Sequence, residues 1–274
     1  MAASIVGAQS WWGPALCAGG AGSLLVAVWC HGGRRRPTIF AASPGDDARA
    51  PLIWERISVH LIAYGGWALV FGAVIWRGVA AGAIDVHLDF ERAWPVWQPA
   101  EWIYVSVYVV PVAMPWLAPT RAALRRFALS LSTLLAASAV IFWCLPLASP
   151  AREFTPTSVA GEILAWETRR GDFAAASLPS FHVFWGLLVA QLLQTRGRIW
   201  AFAGWLWAAA VTVACIANGA HALADVVASW LIFPIATAKA LPLARGAQAV
   251  AGRLFSTRTT AAPSSAPMTR PPSP

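Results

Sequence analysis

Long apolar runs separated by short charged segments constrain this chain more than any other feature of its sequence. A helix needs about 20 mostly apolar residues to cross a bilayer, and seven runs are candidates. They are 11–30, 57–76, 102–118, 127–145, 183–193, 199–217 and 222–241. The fifth run is short, and Pro111 and Pro115 interrupt the third. Such breaks are tolerated in a membrane when neighbouring helices satisfy the freed backbone groups.

The amino-acid composition supports the same reading. Hydrophobic residues make up 58% of the 274 residues and charged residues only 12%, whereas a soluble domain carries about 25% charged residues. Many of the 17 tryptophans stand near the ends of the runs, as expected for indole rings at a membrane interface. The alternative is a Trp-rich soluble core, which leaves the long uncharged runs unexplained. The sequence therefore predicts an all-α, polytopic membrane helical bundle.

The distribution of basic residues predicts how the bundle is oriented. Fifteen of the 20 Lys and Arg residues fall in the segments 31–56, 119–126, 194–198 and 239–274. The two remaining connecting segments hold the other five, together with eight of the 12 acidic residues. The positive-inside rule places the first set in the cytoplasm and the N-terminus outside. The net charge of +8 is thus expected to face anionic lipid headgroups, and no nucleic-acid partner is expected.

Three regions follow from these runs. Residues 1–51 hold an N-terminal transmembrane helix and a cytoplasmic loop, 52–241 form the main membrane domain, and 242–274 form a tail rich in Ser, Thr, Pro and Ala. The tail lacks apolar periodicity and is predicted to be disordered in the cytoplasm. Arginines follow the first run rather than precede it, so this run is predicted to be a retained helix and not a signal peptide.

Neither a metal nor a cofactor is expected. The sequence contains no Asp/Glu cluster suited to magnesium. The cysteines lie within or at the ends of the runs without C-x-x-C spacing, which favours apolar packing over a zinc site or a disulfide framework. They are Cys17, Cys30, Cys144 and Cys215.

Two polar motifs interrupt the apolar pattern. The segment ASLPSFHVFW contains Ser180 and His182, and the segment ANGAHALADVV contains His221 and Asp225. In the predicted topology both motifs fall at the outer ends of helices. Residues far apart in the sequence are therefore expected to meet at one membrane face.

The spacing of the second motif predicts a paired histidine and aspartate. Asp225 follows His221 by four residues, so a helix places both on one face. A carboxylate in a membrane helix costs about 2.5–3.5 kcal/mol on insertion scales and normally has a partner. Asp225 bound to one imidazole N–H would leave the other nitrogen free to attack an electrophile. The alternative is a pair that merely satisfies itself.

In the first motif, Ser180 is typical of a helix N-cap. The free N–H groups of such a helix start are a natural seat for phosphate. His182 taken alone is equally compatible with an ordinary interface histidine.

The two motifs, in this order and topology, resemble those of the type 2 phosphatidic acid phosphatase (PAP2) superfamily. The P-S-x-H motif is matched from Pro179 to His182, and the H-x-x-x-D motif by His221 and Asp225. Phe181 and Gly219 resemble the branch that contains the inositol phosphorylceramide synthases. The resemblance covers roughly residues 52–241 and implies a six-helix core to which the first helix is an addition.

The resemblance implies a role for each site residue. His221 would attack phosphorus and form a phosphohistidine, Asp225 would orient His221, and His182 would donate a proton to the leaving oxygen. Ser180 and Phe181 would lie at the phosphate.

The family's phosphate-binding arginine upstream of the second histidine is absent, because Ala214 and Cys215 stand at the corresponding Ser-Arg positions. The expected substitutes are Arg152, Arg169 and Arg170 in the second outer loop. For Arg152 the alternative is an ordinary exposed loop arginine.

The predicted function is hydrolysis of a phosphomonoester or diphosphate of a membrane lipid. Two alternatives stay open: a lipid phosphotransferase of the inositol phosphorylceramide synthase type, and a non-catalytic scaffold or transporter. The Ala-, Arg- and Trp-rich composition favours a bacterial inner membrane, with the site on the extracytoplasmic face. The sequence leaves the lipid and the oligomeric state open.

Overall fold

The computed structural model describes residues 12–32, 46–168 and 171–238. A two-residue parallel pair joins β1 (Ile84–Asp85) to β2 (Leu147–Ala148), and the rest of the regular structure is helical. The α-helices are α1 (Trp12–Gly32), α2 (Ile53–Arg77), α3 (Glu101–Val105), α4 (Val110–Leu117), α5 (Arg121–Cys144), α6 (Val159–Thr168), α7 (Phe181–Leu193), α8 (Arg198–Ala217) and α9 (Leu223–Ala238). The predicted all-α bundle is confirmed. The C-terminal tail, Arg169 and Arg170 lie outside the described residues.

Five helical stretches in the described part of the chain are long and apolar enough to cross a membrane. They are Ile53–Arg77, Gln98–Leu117, Arg121–Cys144, Ala174–Arg196 and Arg198–Ala217. The first and last predicted runs appear as shorter apolar segments, Gly13–Val26 and Leu223–Ala238. Each predicted run therefore coincides with a helical stretch, and the fifth extends backward through a 3-10 turn as its short length required.

Proline splits the third stretch into two helices. Pro111 stands in the first turn of α4, where its missing N–H costs nothing. A continuous helix would bring its ring against the carbonyl of Val107, four residues earlier. The chain instead forms a 3-10 turn at Ser106–Tyr108 between α3 and α4. This break places Tyr104 at the end of α3 and Tyr108 in the turn itself, next to the polar motifs.

Close glycine contacts join α1 to α2. A Cβ at Gly20 would lie 2.6 Å from the carbonyl oxygen of Gly65, and one at Gly72 would lie 2.8 Å from the backbone nitrogen of Cys17. Because small residues let helix backbones approach, this is a typical packing mode inside a membrane. The pairing is antiparallel, and it brings Leu16 of α1 against the core of the main domain.

Helix α7 is the centre of the bundle. Its span is 83% buried within the protein, whereas the other four spans are 28–44% buried and leave apolar surface for lipid. Phe181, Phe184, Leu187 and Leu188 are almost fully buried. The N-terminal end of this central helix carries the first polar motif, so the packing that buries α7 also fixes that motif.

Charged residues gather at the opposite end of the bundle. Arg121, at the start of α5, forms a buried ion pair with Glu55 of α2 and a second ion pair with Asp46. Arg196, just after α7, donates to the carbonyl of Leu117 at the end of α4. At the end of α7 that lies away from the polar motifs, Arg196 thus satisfies a helix-terminal carbonyl and Arg121 is neutralised by carboxylates.

Candidate active site

The start of α7 positions Ser180. This residue is the N-cap, with extended backbone angles, and its Oγ accepts a hydrogen bond from the N–H of Val183. The same Oγ lies 3.1 Å from Nε2 of His221, and Ser180 is fully buried. The predicted cap is therefore present, and it also connects the two motifs.

His221 and Asp225 form the predicted pair at the turn that leads into α9. Nδ1 of His221 lies 3.0 Å from Oδ2 of Asp225, and the aspartate has no exposed surface. Since a carboxylate only accepts, Nδ1 carries the proton. Nε2 is then the unprotonated nitrogen, and it faces Ser180 and His182. The N–H of Ala222 donates to the same carboxylate oxygen at 3.1 Å.

His182 lies between His221 and two tyrosines. Its Nδ1 is 3.4 Å from Nε2 of His221, and its Nε2 is 3.3 Å from the hydroxyl of Tyr108. The ring of Tyr104 stacks on the imidazole with a centroid separation of 3.9 Å. These contacts fix the plane of the imidazole, so each of its nitrogens has a defined neighbour.

Hydrogen bonds from neighbouring segments fix the turn that bears His221. The backbone N–H of Arg152 donates to the carbonyl of Gly219 at 2.9 Å. Gly219 has a φ of +77°, a conformation that favours glycine. Oε2 of Glu91 accepts from the N–H of Leu223 at 2.8 Å and thereby caps α9. Buried Glu101 accepts from the side-chain amide of Asn218 at 2.8 Å. The turn is therefore tied to several separate segments.

The guanidinium of Arg152 acts on this turn and not on the pocket. It donates to the backbone carbonyls of Ile216 and Trp94. Burial lowers the pKa of Arg152, and the nearby carboxylate of Glu91 opposes that shift. Arg152 was expected to be a substitute phosphate ligand, but its donors are directed at a carbonyl in the last turn of α8 and at the segment between β1 and α3. The residue is half-buried and is not an ordinary exposed loop arginine either.

A pocket of about 490 Å³ opens at the two histidines. His182, His221 and Phe181 line it, and the rest of its wall is mostly apolar. The apolar and aromatic contributors are Leu16, Trp67, Phe71, Tyr104, Tyr108 and Trp166. Phe181 lies with its ring against Phe71, so only its backbone is available to a phosphate. The expected phosphate contacts Arg169 and Arg170 follow directly after the pocket residues Glu167 and Thr168 but lie outside the described residues.

Glu167 and Tyr108 are site residues that the sequence interpretation missed. Glu167 lines the pocket from α6 and is hydrogen-bonded to Tyr108. Burial and the nearby Glu101 raise the pKa of Glu167 to about 8, and the bond to Tyr108 opposes this shift. The sequence did contain a sign of this role, because Glu167 is an acidic residue in the largely apolar segment GEILAWET. In the described part of the chain, no group of three or more His, Cys, Asp or Glu side chains is placed to hold a metal ion.

Fold and site together define an integral membrane protein whose two histidine motifs converge at one end of a helical bundle. The chain belongs to the PAP2 superfamily, whose family model matches residues 83–238. The match covers more than half of the chain and begins after α2, whereas the sequence resemblance was expected from residue 52. No curated protein and no solved structure matches the chain. Membership indicates a lipid enzyme of the phosphatase or phosphotransferase type.

Proposed function

We propose that this protein hydrolyses a phosphomonoester or diphosphate of a membrane lipid through a phosphohistidine on His221. One observation carries the proposal. Nε2 of His221, freed by the Nδ1–Asp225 bond, faces His182 at 3.4 Å at the mouth of an apolar pocket. A nucleophile, an orienting carboxylate and a proton donor thus meet where a lipid can enter.

In the first half-reaction, Nε2 of His221 attacks phosphorus. The N–P bond forms as the bond from phosphorus to the lipid oxygen breaks, and His182 gives a proton to that oxygen. Asp225 stabilises the positive charge that develops on the His221 ring. The hydroxyl of Ser180 and the first N–H groups of α7 lie beside the phosphoryl oxygens, because the first turn of a helix leaves its N–H groups without helical acceptors.

In the second half-reaction, water attacks the phosphohistidine. His182 accepts a proton from the water as the N–P bond breaks, and His221 leaves with its Nδ1 proton still bound to Asp225. The products are the lipid alcohol and inorganic phosphate. The acid of the first step becomes the base of the second, as microscopic reversibility requires.

The site is proposed to face the extracytoplasmic side of a bacterial inner membrane. Both motifs lie at the end of the bundle away from Arg121 and Arg196, and the basic segments are placed in the cytoplasm by the positive-inside rule. The apolar wall built by Trp67 and Phe71 suits a lipid chain that enters from the outer leaflet.

A second candidate keeps the phosphohistidine and replaces water with a hydroxyl acceptor. The breadth of the apolar wall supports it, because such a wall favours a lipid alcohol over water. In that case the protein is a lipid phosphotransferase, the reaction of the branch that Phe181 and Gly219 resemble. Packing alone also explains why these two residue types stand at their positions. Phe181 is buried in the core, and a Cβ at Gly219 would lie 2.9 Å from Val96.

The test is phosphate release from a panel of lipid phosphates and diphosphates by purified protein in detergent, comparing wild type with His221→Ala. Release by the wild type that is lost in the variant supports the phosphatase. Release only after addition of an acceptor lipid, with a transferred headgroup in the products, supports the transferase. Equal turnover by wild type and His221→Ala contradicts both, because each requires the phosphohistidine on His221. No turnover by either protein, with or without acceptor lipid, leaves a non-catalytic membrane role.

A further inference from the structure

We propose that Glu167 is the proton reservoir of the reaction and exchanges its proton with His182 through the hydroxyl of Tyr108. This inference rests on the proposed function, since it explains how the proton donor of that mechanism is supplied and reset. The three groups come from three separate elements: α6, the 3-10 turn between α3 and α4, and the first turn of α7.

The geometry is a continuous chain of hydrogen-bonding groups. The hydroxyl of Tyr108 lies 3.3 Å from Nε2 of His182 and is also bonded to the carboxyl group of Glu167. On the other side of the imidazole, Nδ1 of His182 faces the reacting nitrogen of His221 at 3.4 Å. One nitrogen of His182 therefore faces the substrate. The other faces Tyr108 and, beyond it, Glu167; these two groups are called the proton wire.

The protonation state of Glu167 fits a donor. Burial, followed by the neighbouring Glu101, raises the pKa of Glu167 to about 8, so the carboxyl group holds its proton at neutral pH. Among the described residues, Glu101, Tyr104 and Tyr108 are the titratable groups that interact with it. When Glu167 is ionised, Tyr108 donates to its carboxylate, and this is the bond that lowers the pKa. When Glu167 is protonated, the carboxyl group donates to the hydroxyl of Tyr108, and that hydroxyl donates to the lone pair on Nε2 of His182.

The wire lets His182 act without becoming a cation. A charged imidazolium is costly inside a pocket walled by Tyr104, Trp67 and Phe71. As Nδ1–H of His182 passes to the leaving lipid oxygen, Nε2 takes the proton of Tyr108, and Tyr108 takes the proton of Glu167. His182 and Tyr108 end neutral, Glu167 ends as a carboxylate, and the lipid leaves as an alcohol.

The second half-reaction runs the wire backward. Nδ1 of His182, now unprotonated, accepts a proton from the attacking water. Nε2–H returns its proton to Tyr108, and Tyr108 returns one to the carboxylate of Glu167. All three groups regain their starting state with no net gain or loss of protons. Glu167 and Tyr108 act through His182 and are therefore positioning and proton-supplying residues.

The experiment compares Tyr108→Phe, Glu167→Gln and the double variant on two substrates. One is an alkyl phosphate lipid, whose leaving alkoxide needs a proton; the other is an aryl phosphate with a stabilised leaving group. We expect each single variant to lose about 10–100-fold in kcat on the alkyl ester, within the usual contribution of general acid catalysis. Phosphohistidine formation from the aryl ester, read in a stopped-flow burst, should change less than about threefold because no donor is needed there.

Two matched controls separate the wire from damage to the fold. Tyr64→Phe removes a buried hydroxyl that has no hydrogen-bond partner among the described residues, and Glu162→Gln makes the same Glu-to-Gln substitution at an exposed position of α6. Both control variants should hydrolyse the alkyl phosphate lipid with the kcat of the wild type. The double variant should be no slower than the slower single variant, since one break already interrupts the wire.

A parallel loss on both substrates, or multiplicative losses in the double variant, would overturn the proposal. A measurement independent of turnover separates this failure from that of the proposed function. The ¹⁵N resonance of Nε2 of His182, assigned with His182→Gln, should shift in Tyr108→Phe and in Glu167→Gln but not in Tyr64→Phe. An unchanged resonance overturns the wire even if lipid phosphates are hydrolysed, and a shifted one supports it even if they are not.

Discussion

Nδ1 of His221 lies 3.0 Å from the fully buried carboxylate of Asp225, four residues further along the chain. This contact decides which imidazole nitrogen holds a proton and which one is free. Because Oδ2 of Asp225 also accepts from the N–H of Ala222, the carboxylate is held at the start of α9 independently of the histidine. The His221 ring is therefore orientated by the backbone of the turn as well as by its own side-chain contact.

Replacement of Asp225 by asparagine tests this orientation. An amide can donate to Nδ1, which then gives up its proton and leaves Nε2 protonated and unable to attack. We expect kcat to fall by about 10²–10⁴-fold, as in serine hydrolases whose orienting aspartate is replaced by asparagine. Asp89→Asn, at an exposed position between β1 and α3, is the matched control. A rate within about twofold of wild type for Asp225→Asn would contradict the assigned tautomer.

Arg152 provides a second test, because its two possible roles have different consequences. Arg152→Met leaves the carbonyls of Ile216 and Trp94 without their donors, which should lower the free energy of unfolding by about 1–3 kcal/mol. The inhibition constant of inorganic phosphate should stay within about twofold of the wild-type value. Loss of a phosphate contact worth about 1.4 kcal/mol would instead raise that constant tenfold.

The measurement is a thermal unfolding curve in detergent alongside a phosphate inhibition series. Arg92→Met, which removes a half-exposed guanidinium paired with Asp85, is the control. A Tm equal to wild type with phosphate inhibition weakened tenfold or more would return Arg152 to the role of phosphate ligand.

Much of the fold was predictable from local sequence, since a membrane span is defined by its own length and hydropathy. The pairing of His221 with Asp225 was predictable from their four-residue spacing, but the backbone was not: His221 lies in the turn before α9 and not inside a helix with Asp225. The Tyr108–His182 contact was not, as it depends on where the 3-10 turn at Ser106–Tyr108 meets α7. Tertiary packing determines that meeting, and no periodicity encodes it.

The expected role of Arg152 also shows that local sequence does not determine tertiary contacts. Its position near the two motifs was predictable from the sequence. The direction of its guanidinium was not, because a loop arginine can face a pocket or cap the carbonyls of a neighbouring helix. Here the carbonyl of Ile216 at the end of α8 determines the outcome.

Gly219→Ala tests how tightly the turn is built. At a φ of +77° any side chain is strained, and its Cβ would also lie 2.9 Å from Val96 and 3.1 Å from Nε of Arg152. Gly82→Ala is a sharp control, because Gly82 has a similar φ of +73° with nothing within 4 Å of the added atom. We expect about 1 kcal/mol of destabilisation at Gly82 and about 2–4 kcal/mol at Gly219. Equal losses in denaturant unfolding would show that the turn is looser than described.

The pH dependence of kcat follows from the pKa of Glu167. A group raised to about 8 is protonated below that pH and ionised above it. It donates only while protonated, so the rate on an alkyl phosphate lipid should fall as pH rises through about 8. In Glu167→Gln this alkaline limb should disappear from an already lower profile, whereas Glu162→Gln should retain it. An alkaline limb that survives unchanged in Glu167→Gln would assign it to another group.

The most direct test of the central claim is to trap the phosphoenzyme. The protein is mixed with a ³²P-labelled lipid phosphate, quenched within milliseconds in alkali and separated on a denaturing gel. The account predicts a label that is stable in alkali, lost in mild acid, confined after proteolysis to the peptide bearing His221, and absent in His221→Gln. Turnover with no such label, or a label that persists in His221→Gln, would contradict a phosphohistidine on His221.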